Sequence, residues 1–133
     1  MKVSVESISV GDQDKALDFY IRVLGFVKKH DIDMGGGARW LTLVSPDQPD
    51  GAELVLEPNA DYPAMKALRE SLVRDGIPFT MFEVDDMDKE FKRLQSLGVK
   101  FTTSPTTADD MISAVLDDTC GNLIMIFQHV KQR

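Results

Sequence analysis

The sequence predicts an α+β fold built from two tandem βαβββ modules. The segment Val10-Gly11-Asp12-Gln13-Asp14-Lys15 is echoed at Val84-Asp85-Asp86-Met87-Asp88-Lys89, each copy closing an apolar run and opening an amphipathic stretch. Each stretch then meets a matching stop, Leu24-Gly25-Phe26 in the first copy and Leu97-Gly98-Val99 in the second. Three strand-like runs follow each stop. Two copies related by a pseudo-twofold axis are expected to enclose a cleft between equivalent strands, so residues at equivalent points become the candidate site.

In the first copy, Val3 to Val10 has the Val, Ile and Ser content of a strand. Asp12 offers a side-chain cap for a helix starting at Gln13, in which Ala16, Phe19, Tyr20 and Val23 mark a buried face and Gly25 a stop. Phe26 to Ile32 reads as the second strand, Gly35-Gly36-Gly37 as a hairpin turn, and Arg39 to Val44 as the third. Pro46 to Gly51 is a turn cluster, and Glu53 to Glu57 is a fourth strand stopped by Pro58. A connecting helix is expected over Tyr62 to Asp75, with Leu68 and Leu72 on its buried side and Gly76 as its stop.

The second copy repeats the order. Ile77 to Val84 is strand, and Asp86 to Leu97 is helix with Phe91 and Leu94 buried. Val99 to Thr103, Met111 to Leu116 and Leu123 to Phe127 are strands, the last two joined by an Asp117 to Asn122 turn. The first helix carries one more residue between its Lys and its Gly than the second. One domain of two modules follows, about 1–60 and 77–133, joined by a helix at about 62–75.

Composition narrows the partners. At 133 residues the chain is long enough to bury a core, and 43% hydrophobic with 28% charged residues is ordinary for a globular protein. A net charge of −7 argues against nucleic acid and favours cationic ligands. The single Cys120 permits no internal disulfide and fits a reducing cytoplasm. The early acid at Glu6 argues against a signal peptide, and no run nears the roughly 20 apolar residues that span a bilayer. A cytoplasmic protein with no membrane partner is expected.

The tandem modules, Asp12 to Tyr20, Leu24-Gly25-Phe26, Gly51 to Pro58, and Asp118 to Ile126 with its Asp-x-x-Gly turn resemble the vicinal oxygen chelate superfamily over Val3 to about Gln128. That group holds glyoxalase I, extradiol dioxygenases, fosfomycin-resistance enzymes and bleomycin-resistance proteins. The resemblance implies a cupped, barrel-like mixed sheet around one cleft, and a homodimer. It also implies a divalent metal held from the first and fourth strands of each module. Matching the repeats pairs Val5 with Phe79 and Val55 with Met125 at those places, where metal-using members carry His, Glu or Gln. Hydrocarbon, ring and thioether are not donors for such cations. No metal and no other cofactor is therefore expected, and His30 and His129 are read as surface or edge residues.

Strand alternation supplies the rest of the expected wall. Ser7 and Ser9 share a side with Val5, Met81 and Glu83 with Phe79, Glu53 and Glu57 with Val55, and Leu123 and Phe127 with Met125. Leu41 and Leu43 read as core, which turns Trp40 and Thr42 to the cleft side. The opposite side (Ile8, Val10, Leu54, Leu56, Phe82, Val84, Ile124, Ile126) is expected beneath the helices. The ligand residues expected are Val5, Ser7, Trp40, Val55, Glu57, Phe79, Met81, Glu83 and Met125. Trp40 or Phe79 would stack on a flat or cationic molecule, with Glu57 or Glu83 as counter-charge. Glu83 is the one candidate catalytic base.

Three readings follow. The first is a metal-free binder of a small organic molecule, similar in kind to the bleomycin-resistance proteins. The second is a glyoxalase-type lyase or dioxygenase with a displaced metal site drawn from Glu53, Glu57, Glu83, Gln128 or His129. The third is a dimerisation module whose aromatic and Met side chains fill the cup. Gly35-Gly36-Gly37 precedes a strand and not a helix, so it is no phosphate loop. Cys120 has no histidine nearby in sequence to activate it.

Overall fold

Each repeated segment folds into its own four-stranded sheet in the computed structural model, which describes residues 1–130. The first segment runs β1 (Val5–Ser9), α1 (Gln13–Asp18) continued by a π turn (Phe19–Val23), β2 (Val27–Gly35), β3 (Ala38–Val44) and β4 (Glu53–Glu57). A connecting helix, α2 (Pro63–Arg74), leads to β5 (Thr80–Glu83), α3 (Met87–Ser96), β6 (Phe101–Ala108), β7 (Met111–Asp117) and β8 (Leu123–His129). The strand orders are β1-β4-β3-β2 and β5-β8-β7-β6, so the repeat is one of topology as well as sequence. In each sheet the pair from the two ends of the module is parallel, and the remaining pairs are antiparallel. Neither sheet is a closed barrel. The chain forms two compact units, Met1–Ala67 and Leu68–Arg133, with the boundary inside α2.

The echoed acids begin the helices for the same reason in both copies. Asp12 Oδ1 accepts the Lys15 N–H and Asp86 Oδ1 accepts the Lys89 N–H, each at 3.1 Å. An extended Asp thus satisfies one of the amides that a helix start leaves without a partner. The helices end alike too, on Gly25 (φ 90°) and Gly98 (φ 84°), in the left-handed region that a Cβ disfavours.

Between these ends the extra residue of the first helix has a structural address. Leu24 N–H reaches back five residues to the Phe19 carbonyl, at 3.1 Å. The insertion is absorbed as a π turn, which keeps Phe19 and Tyr20 on the buried face.

Each core lies between one sheet and its helix. In the first module Ile8, Val10, Leu41, Leu43, Leu54 and Leu56 are buried with Ala16, Phe19 and Tyr20. In the second, Leu116, Ile124 and Ile126 are buried with Met87 and Leu94. Full burial of a Leu or Ile is worth about 1.5–3 kcal/mol, so these alternate strand positions dominate each module's stability. The hairpin between β2 and β3 turns on Gly36 and Gly37, both with positive φ, as a tight two-residue hairpin requires.

Strand ends differ from the sequence expectation. β2 and β6 run on to Gly35 and Ala108, and β8 to His129. Pro105 lies within β6, which the missing N–H permits because β6 is an edge strand.

The connecting helix corrects another expectation. Leu68 is 48% exposed, and α2 has no buried residue. Its half-buried positions are Met65, Arg69, Ser71 and Leu72, so the inward stripe passes through a charge. Arg69 explains the rotation. Its Nη2 donates to the Cys120 carbonyl and its Nε to Asn122 Oδ1 at 3.3 Å. The guanidinium thereby seats α2 on the turn between β7 and β8, and Leu68 is turned outward.

Candidate functional site

The sheet face away from the helix carries the predicted site residues in each module. In the first, β1 and β4 run parallel with Val5 opposite Glu53, Ser7 opposite Val55 and Ser9 opposite Glu57. Thr42 on β3 lies opposite Val55, and His30 on β2 lies opposite Thr42. Ser7, Val55, Thr42 and His30 make one continuous row across the sheet. Val5 is 42% exposed, whereas Val55 is covered by its neighbours despite facing away from the helix. Trp40 and Glu57 are half-buried, Ser7 is exposed and Ser9 is buried.

This face is polar. Thr42, itself fully buried, donates to Glu53 Oε1 at 2.8 Å, and His30 Nε2 lies 3.5 Å from the same oxygen. The His30 side chain is 42% exposed on β2, an edge strand, so the surface or edge place expected from sequence holds, and the contact with Glu53 is added to it. A β-bulge between Lys28 and His30 breaks the alternation of β2, so its facing was not readable beforehand.

In the second module the equivalent face is apolar except for Glu83. Met81 lies opposite Met125 and Glu83 opposite Phe127, while Val115 on β7 lies opposite Met125. Phe79, just before β5, donates its N–H to the Leu123 carbonyl at 2.8 Å. Phe79, Met125 and Phe127 are half-buried, and Met81 is 55% exposed. His129 sets its ring edge-on to Phe127, with centroids 5.4 Å apart. Glu83, the candidate base, is exposed at the end of β5.

A divalent metal does not fit the four positions that the repeat marks. Val5, Val55, Phe79 and Met125 offer no imidazole, carboxylate or thiolate. Among the described residues no three of His, Cys, Asp and Glu form a group able to hold a metal ion. Of the displaced donors, Gln128 already accepts the Met87 N–H through Oε1 at 2.8 Å.

Sequence reasoning missed the part played by Gln13. Its buried amide Nε2 donates to the Leu56 carbonyl at 2.9 Å and to the Arg39 carbonyl at 3.1 Å. It enters where the β3–β4 pairing, seen at Thr42↔Val55 and Leu43↔Leu54, comes to an end. A glutamine at the first position of a helix gives no sequence signal of such a reach.

Arg39 then ties the hairpin to α1. Its Nε and Nη2 form a fork on Asp31 at 3.0 and 2.8 Å, and its Nη1 meets Asp14 at 2.6 Å. The hydrogen bond from Arg39 holds the Asp31 carboxyl below the usual carboxylate range. Hydrogen bonds to Asp31 and then Asp14 raise the guanidinium above its own range. A shallow open depression of about 430 Å³ beside them is lined by Asp31, Asp33, Gly37, Ala38 and Arg39. None of the predicted ligand residues lines it, and Asp31 and Arg39 already neutralise each other. Among the described residues no helix is long and apolar enough to cross a membrane.

Two βαβββ modules with this spacing define a class. The chain belongs to the glyoxalase/bleomycin resistance protein/dioxygenase superfamily, whose family model matches residues 3–126. It is 55% identical over 128 residues to the uncharacterized protein YurT of Bacillus subtilis (strain 168), a match covering 96% of this chain and 99% of YurT.

Among solved structures it resembles UcmS2, at 30% identity and a TM-score of 0.80, covering 96% of this chain and 97% of that one. It also resembles TnmS3, an antibiotic binding protein from Streptomyces sp. CB03234, at 28% identity and a TM-score of 0.74. That match covers 97% of this chain and 96% of TnmS3.

Proposed function

We propose that this protein binds a small organic molecule through the helix-free faces of its sheets, without a divalent metal, and acts as a homodimer. The observation that carries the reading is the apolar surface of Met81, Met125 and Phe127 on β5 and β8 with Phe79 just before β5, half-buried except for the exposed Met81. It includes two positions where metal-using relatives place their ligands. Rings and thioethers of this kind suit a flat aromatic molecule, by stacking and by soft, adaptable contact. The likeness to TnmS3, which binds an antibiotic, supports the same class of activity.

Calorimetry on untagged protein tests the reading with proflavine, a planar cation, acridone, its neutral three-ring counterpart, and bleomycin. At least one planar probe is expected to bind with a Kd of about 1–100 μM, worth roughly 5–8 kcal/mol. Phe79→Ala and Met81→Ala are each expected to weaken it about tenfold. Parallel titrations with nickel, zinc, manganese and iron(II) are expected to show no stoichiometric site; a micromolar or tighter one would overturn the metal-free reading. Light scattering is expected to give twice the chain mass, and a monomer at micromolar concentration would remove the dimer.

A further inference from the structure

Each sheet has a short edge strand, β1 or β5, and a long one, β2 or β6. The two long edges differ. β6 holds Pro105, no charged residue, and register shifts against β7 between Phe101 and Thr103 and between Thr103 and Thr106. A proline and an uneven ladder leave little regular backbone for another strand to pair with. β2 has nine residues and no proline, and it keeps an unbroken register with β3 from His30 to Asp33. All of its residues except His30 are exposed. Alternate residues along such an edge turn their N–H and C=O groups away from the sheet.

Charge lies along β2 in two blocks, Lys28 and Lys29 before His30 and Asp31 and Asp33 after it. Asp31 is neutralised by the Arg39 fork and by Lys28 Nζ at 3.5 Å. Lys29 donates to the Pro49 carbonyl at 3.3 Å, and Asp33 accepts the Gly35 N–H at 2.8 Å. Both contacts are with neutral groups, so these two charges lack an ionic partner among the described residues. A strand that is basic at one end and acidic at the other complements an antiparallel copy of itself.

We infer that β2 is the dimer edge, along which a second copy of this chain adds its own β2 antiparallel to form one eight-stranded sheet. A two-fold axis at Asp31 brings Lys29 of each copy against the partner's Asp33, so two ion pairs close together. The two Asp31 carboxylates that meet on the axis are each held by their own Arg39. The inference rests on the homodimer proposed above and names the surface that makes it.

Sedimentation equilibrium of the full chain tests the edge. Lys29→Glu and Asp33→Lys are each expected to raise the dimer Kd at least about tenfold, because like charges then face each other twice. The double variant Lys29→Glu/Asp33→Lys is expected to return it to within about threefold of the native value, which structural damage would not do. Hydrogen exchange on the native chain reads the backbone independently. Amides from His30 to Asp33 are expected to exchange at least about tenfold more slowly above the dimer Kd than below it, while those of β6 keep their rate. Unchanged dimerisation in both single variants, weakening without rescue in the double, or β2 amides indifferent to concentration each overturns the edge and leaves the homodimer standing on another surface. A native chain that stays monomeric at micromolar concentration overturns both.

Discussion

The two modules share an order of elements, a capping acid and a stop glycine, yet their helix-free sheet faces differ in chemistry. The first sets Ser7, Thr42, His30, Glu53 and Glu57 beside Val5, Trp40 and Val55; the second sets Met81, Val115, Leu123, Met125 and Phe127 beside the single acid Glu83. Their interiors are alike, because each helix must cover the same alternate strand positions. Divergence is free on the face no helix covers.

A second difference lies in the strand ladders. β7 and β8 pair in register from Met111↔His129 to Asp117↔Leu123, whereas β3 and β4 share Thr42↔Val55 and Leu43↔Leu54. Gln13 enters at the end of the shorter ladder, and the equivalent residue of α3, Met87, is buried without such a reach. The first module thus replaces part of a backbone ladder with a side-chain amide.

The largest expected contrast lies in the turns before β4 and β8. Asp118 is fully buried, and its carboxylate accepts the N–H of Cys120 at 2.7 Å, that of Asn122 at 3.0 Å and the Asn122 side-chain amide at 2.9 Å. Asp118→Ala leaves those donors short and is expected to cost about 3–4 kcal/mol in urea unfolding. The equivalent Gln48 is exposed and its loop closes through backbone bonds to Ser45 and Gly51, so Gln48→Ala is expected to stay within about 0.5 kcal/mol. Equal losses in the two variants would erase this contrast.

Exchanging the wedge residues probes the ladders. Gln13→Met leaves the Arg39 and Leu56 carbonyls without their donor, and a loss of about 2 kcal/mol is expected. Met87→Gln buries an amide beside a ladder that needs none, for about 1–3 kcal/mol. Thermal melting of both variants checks the pair. A neutral Gln13→Met would show that the shorter ladder does not depend on the amide.

The smallest effect is one of acidity. Arg39 has no counterpart in the second module, where Ile112 occupies the equivalent point of β7. Because Arg39 lowers the folded-state pKa of Asp31, that carboxylate contributes stability above its unfolded value of about 3.9. The contribution is lost as the pH falls through the lower folded value. The gap between the native chain and Asp31→Asn is therefore expected to be full at neutral pH and to shrink below about pH 4. A gap that widens on acidification would contradict the pairing.

Much of this was legible in the chain. The caps at Asp12 and Asp86, the stops at Gly25 and Gly98, the Gly36-Gly37 turn and the order of strands follow from local rules of conformation. So do the buried alternates Ile8, Leu41, Leu54 and Ile124, because a strand must turn every second residue the same way. The family follows from their order. Local rules also showed that Val5, Val55, Phe79 and Met125 supply no metal donors.

Other features needed the folded chain, because they join residues far apart or break a local rule. The bulge beside His30 resets an alternation, and the π turn at Phe19 absorbs an inserted residue. Gln13 reaches strands 26 and 43 residues away, and Arg69 overrides the apolar stripe of its own helix. Composition could count the acids, but only packing could bring Thr42 and His30 onto one oxygen of Glu53.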